Sequence, residues 1–337
     1  VGPDDALWLI SDGKAGDLAQ LQGIAAALPA APIVKTLRPR PLFALTMPWF
    51  GVDPREHPAR GGGPLSAPHP EIAIATGRRT VTALRALKRV SPRTFTVFLK
   101  DPRIDPAAFD LVWAPAHDGL AGPNVVTTVT SPHPHAPAAL EAARRSPDPR
   151  LAALPRPLVG VLVGGASKDV RFTDEDARAL VDGLSKLRRD AGAGLVVTLS
   201  RRTPAAARER LAALAAEGGV FLWTGEGDNP YRAMLAGCDA FVVTADSANM
   251  VGEAAASGRP IMVFRPAGVA PKLERFLAAL GEKAMLTRFD GRLASGAYDP
   301  IDSTAGIAAE ILARYARFRR GGGRDEPPGE SRPCMNA

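Results

Sequence analysis

Only two of the 337 residues are cysteine, Cys238 inside an apolar, strand-like run and Cys334 in a polar C-terminal stretch, and neither has neighbours at metal-ligand spacing. That excludes a disulfide framework and a cysteine-built zinc site, and it fits a reducing compartment. Nowhere do about 18 apolar residues run together, so no segment reads as a spanning helix. The first residues lack a basic region followed by an apolar core and a small-residue cleavage site, and the expected location is cytoplasmic. Aromatics make up 6% of the chain, and the net charge of +7 is not accompanied by an arginine-aromatic patch, zinc spacing or an RNP-like strand. No nucleic acid partner is expected. An anionic small molecule or an anionic membrane surface accounts for the charge equally well, and part of the arginine excess belongs to a composition rich in Ala, Arg, Gly and Pro.

What the sequence does contain is alternation. Short apolar runs at 7–10, 33–37, 71–75, 94–99, 111–114 and 125–129 read as strands, with helices at 15–28 and 78–89 between them. A second series has strands at 158–163, 195–199, 220–223, 240–243 and 261–264 and helices from Thr173 to Arg189 and at 204–217, 247–257 and 271–280. Thr173 with Asp176 is a variant capping box, and Ala177, Leu180, Val181, Leu184 and Leu187 line one face of the helix it opens. The pattern predicts an α/β protein of two Rossmann-like doubly wound domains facing a cleft. Residues 1–148 form the first and 149–302 the second, with the Pro- and charge-rich stretch 144–157 as linker. A last helix covers 303–319, and the tail 320–337 lacks core-forming residues and reads as disordered.

Between 38 and 70 the alternation fails, because Pro and Gly punctuate rather than propagate structure. Phe43, Leu45, Met47, Trp49 and Phe50 lie there close to arginines. The stretch reads either as a flap folded on its own domain or as a lip facing a membrane or an acceptor.

Open α/β sheets bind ligands at the carboxyl ends of their strands, so the loops there are the candidate site. In the second domain they carry Gly164, Gly165, Ser167 and Lys168, then Ser200, Arg201 and Arg202, then Asp246, Ser247 and Met250. Glycines let backbone approach phosphate, Lys and Arg neutralise it, and a helix capped by Ser247 offers free N–H groups to a diphosphate. Glu253 projects from the second turn of that helix, where a carboxylate can accept hydrogen bonds from two ribose hydroxyls. In the first domain, "FDLVWAPAHDG" ends a strand with His117 and Asp118, a histidine with a carboxylate to orient it as a general base. His57, His69, His133 and His135 sit in Pro-rich loops without ligand spacing, and no metal site is expected.

Taken together, "SDGKAGDLAQ", "DPR", "FDLVWAPAHD", the Gly-Gly and Ser-Lys pairs at 164–168, "SRRTP", "DNPYRAMLAGCDAFVVTADSANMVGEAA" and "GRPIMVF" resemble the mitochondrial fission (elongated mitochondria) protein family over about residues 7–265. The family is similar to GT-B glycosyltransferases, and the resemblance implies a nucleotide-sugar held mainly by the second domain and a last helix that crosses back to the first. It implies a transferase that moves sugar from a nucleoside diphosphate donor to an envelope glycan or lipid-linked acceptor, without cofactor or metal. A nucleotide-sugar hydrolase or 2-epimerase, and a non-catalytic adaptor such as the plant members that recruit a dynamin-related protein, are the other roles it allows. In the transferase, Ser167, Lys168, Arg201, Ser247 and Glu253 hold the donor and His117 is the base, with Asp17 or Asp12 as alternates. Asp246 departs from the pattern: a carboxylate beside a diphosphate repels it unless the side chain turns away to cap backbone or meets a sugar hydroxyl.

"SDGKAGDLAQ" lacks the second Gly and the Lys-Ser/Thr ending of a Walker loop, so ATP hydrolysis is not expected. As the first strand-to-helix loop it puts Lys14 and the amides near Gly16 toward the diphosphate and Asp12, Asp17 and Gln20 toward the acceptor. A cytoplasmic protein resting on the inner membrane through residues 38–70 completes the expectation.

Overall fold

The structure is a computed structural model that describes residues 6–167 and 170–321. The first sheet contains β1 (Leu7–Ser11), β2 (Pro32–Thr36), β3 (Ile72–Thr76), β4 (Phe95–Leu99), β5 (Leu111–Pro115) and β6 (Val125–Thr128), all parallel, in the order β2-β1-β3-β4-β5-β6. The second contains β7 (Leu158–Val163), β8 (Gly194–Leu199), β9 (Val220–Trp223), β10 (Ala240–Thr244), β11 (Ile261–Phe264) and β12 (Leu286–Arg288), parallel in the order β12-β11-β10-β7-β8-β9. The central strands are buried along their whole length, which is why they read as unbroken apolar runs rather than as alternation. In each sheet the winding reverses once, between β1 and β3 and between β7 and β10. Ser11 is in register with Thr76, so β1 and β3 end level and their loops open on one edge.

The helices are α1 (Ala15–Ala26), α2 (Pro41–Thr46), α3 (Val81–Val90), α4 (Pro137–Arg145), α5 (Pro149–Ala152), α6 (Asp174–Ala191), α7 (Ala205–Ala216), α8 (Tyr231–Gly237), α9 (Ala248–Ala255), α10 (Pro271–Gly281) and α11 (Thr304–Arg320). The Thr173–Asp176 capping box that opens α6 is formed in both directions. Leu21 and Ile24 of α1, with Leu28 just beyond it, pack on Leu7, Leu9, Ile72 and Ile74, and the same core takes Ile307, Ala308, Ile311 and Tyr315 from α11. The last helix therefore returns to the first sheet after the second is complete. Each of its two buried isoleucines contributes on the order of 1.5–3 kcal/mol to holding it there. Tyr315 also donates to Glu71 at 2.7 Å.

Three expectations change. The stretch 144–157 is not the crossing between the lobes. Leu140 of α4 and Leu151 of α5 share a core with Leu158, Met234 and Phe241, so the chain enters the second lobe before α4. Arg144 donates to the carbonyls of Ala236 and Ser257, which fixes the charge-rich segment to that lobe. Cys238 does not lie in a strand: it is the buried residue that ends α8, one residue before Asp239 bonds to β7 through its N–H. The third is the 38–70 excursion, which contains α2 and is anchored by buried Leu37, Met47 and Leu65 and by Val52 against the core, while Leu42, Leu45, Trp49 and Phe50 face outward, so it is part flap and part outward lip. Lys168 and residues 322–337, the bulk of the tail, lie outside the described residues.

Candidate functional site

The loop after β7 is packed from below by a carboxylate. The side chain of Asp246 is wholly buried and accepts from the Gly165 N–H at 2.8 Å, the Thr244 hydroxyl at 2.6 Å and Arg202 Nη2 at 3.0 Å. A Cβ on Gly164 would lie 2.1 Å from Asp246 Oδ2, and one on Gly165 would lie 2.0 Å from the Arg202 carbonyl oxygen. Both positions therefore require glycine. Arg202 also reaches the carbonyls of Gly165 and Ala166, and Thr203 donates to Gly164 O at 2.6 Å while receiving the Ser200 N–H. Three strand-end loops are thus laced into one surface. Asp246 has turned away from the α9 N-terminus and caps backbone, one of the two ways in which its charge is reconciled with an anion site.

Ser247 caps α9 and accepts from the Met250 N–H at 3.4 Å, which leaves the first-turn N–H groups of Ala248 and Asn249 without an intrahelical acceptor. One turn further in, Glu253 receives the hydroxyl of Tyr231 from α8. Burial pushes the Glu253 carboxyl up to about 7, and the Tyr231 bond opposes the rise. The same burial, with Glu253 close by, holds the Tyr231 hydroxyl well above its usual range. A carboxyl raised in this way can accept from a hydroxyl as the anion or donate to one as the acid.

On the opposite wall, β1 is followed by Asp12, Gly13 and Lys14, which lead into α1. Asp12 Oδ2 pairs with Lys14 Nζ at 2.9 Å, while its Oδ1 is buried and has no hydrogen-bond partner. Gly77, just after β3, has φ +97, and a Cβ there would lie 3.1 Å from Asp12 Oδ1 and 3.4 Å from Asp17 Oδ2. Asp17 is paired with Lys100, which follows β4 with φ +83, a conformation L side chains seldom adopt and one that marks a residue held in place by its surroundings. Gln20 is buried, bonds through Nε2 to Asn249 Oδ1 at 3.4 Å and leaves Oε1 unpartnered. A methyl built on Gly16 would lie 3.9 Å from Asn249 Nδ2. The two winding reversals therefore face each other, with α1 of one lobe touching the first turn of α9 in the other.

His117 and Asp118 stand elsewhere. They follow β5, three strand positions from β1, on the order of 14 Å away at sheet spacing. The His117 ring meets the edge of Phe276 from α10 at 5.3 Å, its carbonyl accepts from Arg275, and Asp118 pairs with Lys272 at 3.3 Å. His117 Nε2 lies 3.8 Å from Asp118, and its buried Nδ1 has no partner. Burial lowers the pKa of His117 below the ordinary imidazole value, with Asp118 opposing and Lys272 and Arg275 adding to the fall. The ring borders a cavity of about 480 Å³ between the lobes. Of the other candidates, Arg201 is exposed and Ser167 is exposed with its N–H on Val170 O at 2.9 Å. Lys100, Tyr231 and Asn249 escaped the reading from sequence. The last two stand inside motifs that were picked out, and Lys100 directly precedes "DPR".

A profile of the mitochondrial fission ELM1 family matches residues 15–315. The mitochondrial fission protein ELM1 of Arabidopsis thaliana is 31% identical over 275 residues, which are 73% of this chain and 64% of the plant protein. Among solved structures, the UDP-GlcNAc 2-epimerase of Neisseria meningitidis bound to UDP-GlcNAc superposes with a TM-score of 0.52 at 10% identity, covering 92% of this chain and 99% of that one. The Methanocaldococcus jannaschii UDP-GlcNAc 2-epimerase in complex with UDP-GlcNAc and UDP gives 0.53 at 11%, covering 93% and 99%. At such identities the likeness concerns the fold, two Rossmann-like sheets facing a cleft in the GT-B manner. Sequence and fold together lead to one assignment: the chain belongs to the mitochondrial fission ELM1 family.

Proposed function

We propose that this protein is a glycosyltransferase that takes its sugar from a nucleoside diphosphate donor and passes it to an envelope glycan or a lipid-linked acceptor. The observation that carries the proposal is the meeting of the two winding reversals. On one wall are free helix N–H groups and, one turn further along α9, the Glu253 carboxyl held by Tyr231, and on the other a buried carboxylate oxygen and a buried amide oxygen, both unpartnered. The first set suits a diphosphate and its ribose. The second suits hydroxyl groups that bring hydrogens to it.

In this reading Ser167, Lys168, Arg201 and the α9 N–H groups hold the diphosphate, and Glu253, steadied by Tyr231, takes the ribose hydroxyls. The leaving diphosphate is stabilised by amides aimed at it in advance, with no metal or other cofactor required. Asp12 takes the proton of the attacking hydroxyl and Lys100 positions Asp17 beside it. This moves the base from His117 to the alternates at β1, because His117 stands on the α10 contact. Residues 1–136 with α11 would then act as the acceptor lobe and 137–302 as the donor lobe, in a cytoplasmic protein.

A thermal-shift screen against nucleoside diphosphates and their sugars tests the donor site. Uridine or guanosine diphosphate should raise the melting temperature, and Glu253→Ala should abolish the rise. If no nucleotide or nucleotide-sugar shifts the wild type, the donor assignment is wrong. Incubation with donor alone separates this reading from a hydrolase or 2-epimerase, which would consume the nucleotide-sugar without acceptor.

A further inference from the structure

The excursion between β2 and β3 is neither a collapsed flap nor a loose loop. Leu42, Leu45, Trp49 and Phe50 are 72%, 74%, 63% and 67% exposed, and all four lie on α2 and the turn that follows it. The backbone beneath them is pinned. The Arg78 guanidinium donates to the carbonyls of Ala44, Leu45 and Met47, Arg40 forms a two-pronged pair with Asp53, and Met47 and Leu65 are sunk in the lobe. Large apolar side chains held outward on a fixed platform forgo the favourable transfer out of water that burial would give, and such a patch points to a partner.

The surroundings state the chemistry of that partner. Phe50 lines one cavity of about 340 Å³ with Arg85 and Arg89, and neither arginine has a carboxylate partner within ion-pair distance among the described residues. Trp49 lines another, of about 260 Å³, with Arg78, Lys100, Asp101 and Arg103. There Lys100 pairs with Asp17, Arg103 with Asp101 and Arg78 with backbone carbonyls, so the cations left unpaired among the described residues are those on the Phe50 side. An apolar tip flanked by cations suits an interface in which acyl chains meet anionic headgroups: apolar side chains enter, and guanidinium groups stay at headgroup level. No helix among the described residues is long and apolar enough to cross a bilayer, so the contact lies in the plane of the surface.

We infer that Leu42, Leu45, Trp49 and Phe50, with Arg85 and Arg89 beside them, dock the first lobe on an anionic phospholipid bilayer. The Trp49 cavity reaches Lys100, the partner of Asp17, so docking sets the acceptor side of the cleft against the bilayer, where a lipid-anchored acceptor arrives laterally. This last point rests on the function proposed above. The docking itself does not.

Flotation of the full chain with vesicles of phosphatidylcholine alone, or with about a third phosphatidylglycerol, tests it. The wild type should float with the anionic vesicles only and be released by raised salt. Leu45→Ser combined with Trp49→Ser should lower the bound fraction by about tenfold or more, and Arg85→Glu with Arg89→Glu by a similar factor. Both variants should keep the wild-type melting temperature and its nucleotide-induced rise, so a failed donor site and a failed membrane face are read separately. Absence of flotation overturns the proposal, as does equal flotation of the variants. A concentration-dependent dimer that the serine variant abolishes, without vesicle binding, also overturns it and assigns the face to a second copy of the chain.

Discussion

The two walls of the cleft are built on opposite principles. On the second lobe the β7 and β10 loops are tied together through their polar groups: Asp246 alone serves a backbone N–H, a hydroxyl and a guanidinium, and two glycines lie against its carboxylate and the Arg202 backbone. On the first lobe, Asp12 Oδ1 and Gln20 Oε1 are buried with nothing to accept. A satisfied network is rigid and shapes the surface that meets a ligand, whereas a buried acceptor left unpaired stores a cost that an incoming donor relieves. Mutation should therefore hurt stability on one wall and chemistry on the other.

The largest effect expected is on the laced wall. Asp246→Ala strands the Gly165 N–H, Thr244 and Arg202, and should cost about 3–5 kcal/mol in denaturant unfolding. Gly164→Ala should do comparable damage, because its methyl would occupy the space of the carboxylate. On the other wall, Asp12→Asn keeps size and removes basicity. It should lower turnover with donor and acceptor by about 10²-fold or more while leaving the unfolding midpoint near that of the wild type. A loss of stability there as large as that of Asp246→Ala would erase the contrast between the walls.

Smaller effects sharpen it. With its carboxyl pushed up to about 7, Glu253 becomes the stronger acceptor for ribose hydroxyls as it ionises, so nucleotide affinity should rise from pH 6 to pH 8, by up to about tenfold. The sign for the empty protein is opposite. A carboxyl whose pKa is raised on folding holds a proton in the folded state that the unfolded chain has lost, so its contribution to stability falls as pH climbs from the ordinary carboxylate value to about 7. Titration calorimetry and unfolding across that window read the two trends, and Glu253→Gln should flatten both. The least effect is expected at His117, where replacement by Ala removes an edge contact with Phe276 worth about 1 kcal/mol and should change turnover less than tenfold. A hundredfold loss of turnover with intact stability would return the base to His117.

Much of this is legible in the sequence. Buried parallel strands announce themselves as apolar runs, and β9 and β11 begin and end where the runs do. The capping box and the Ser247 cap were read from residues that act locally. What stayed hidden depends on packing between distant segments. Asp246 looks like a charge in the wrong place until its partners on two other loops are seen, and Asp17 gives no sign of Lys100, 83 positions away. β12 is a three-residue edge strand, too short to show a pattern. The charged stretch 144–157 looks like a linker because arginines read as solvated, whereas Arg144 and Arg156 spend their donors on carbonyls of the second lobe.

The return of α11 gives the molecule two crossings between its lobes instead of one. They run side by side: the Thr130 hydroxyl lies 2.7 Å from that of Ser303, and the His133 N–H reaches Thr304 Oγ1 at 3.2 Å. A single tether would let one lobe swivel freely against the other, while a paired tether resists twist and favours bending about one line. Opening and closing of the cleft should therefore follow a single hinge axis through these four residues, so that whatever enters between Asn249 and Gln20 meets the same two faces at each closure.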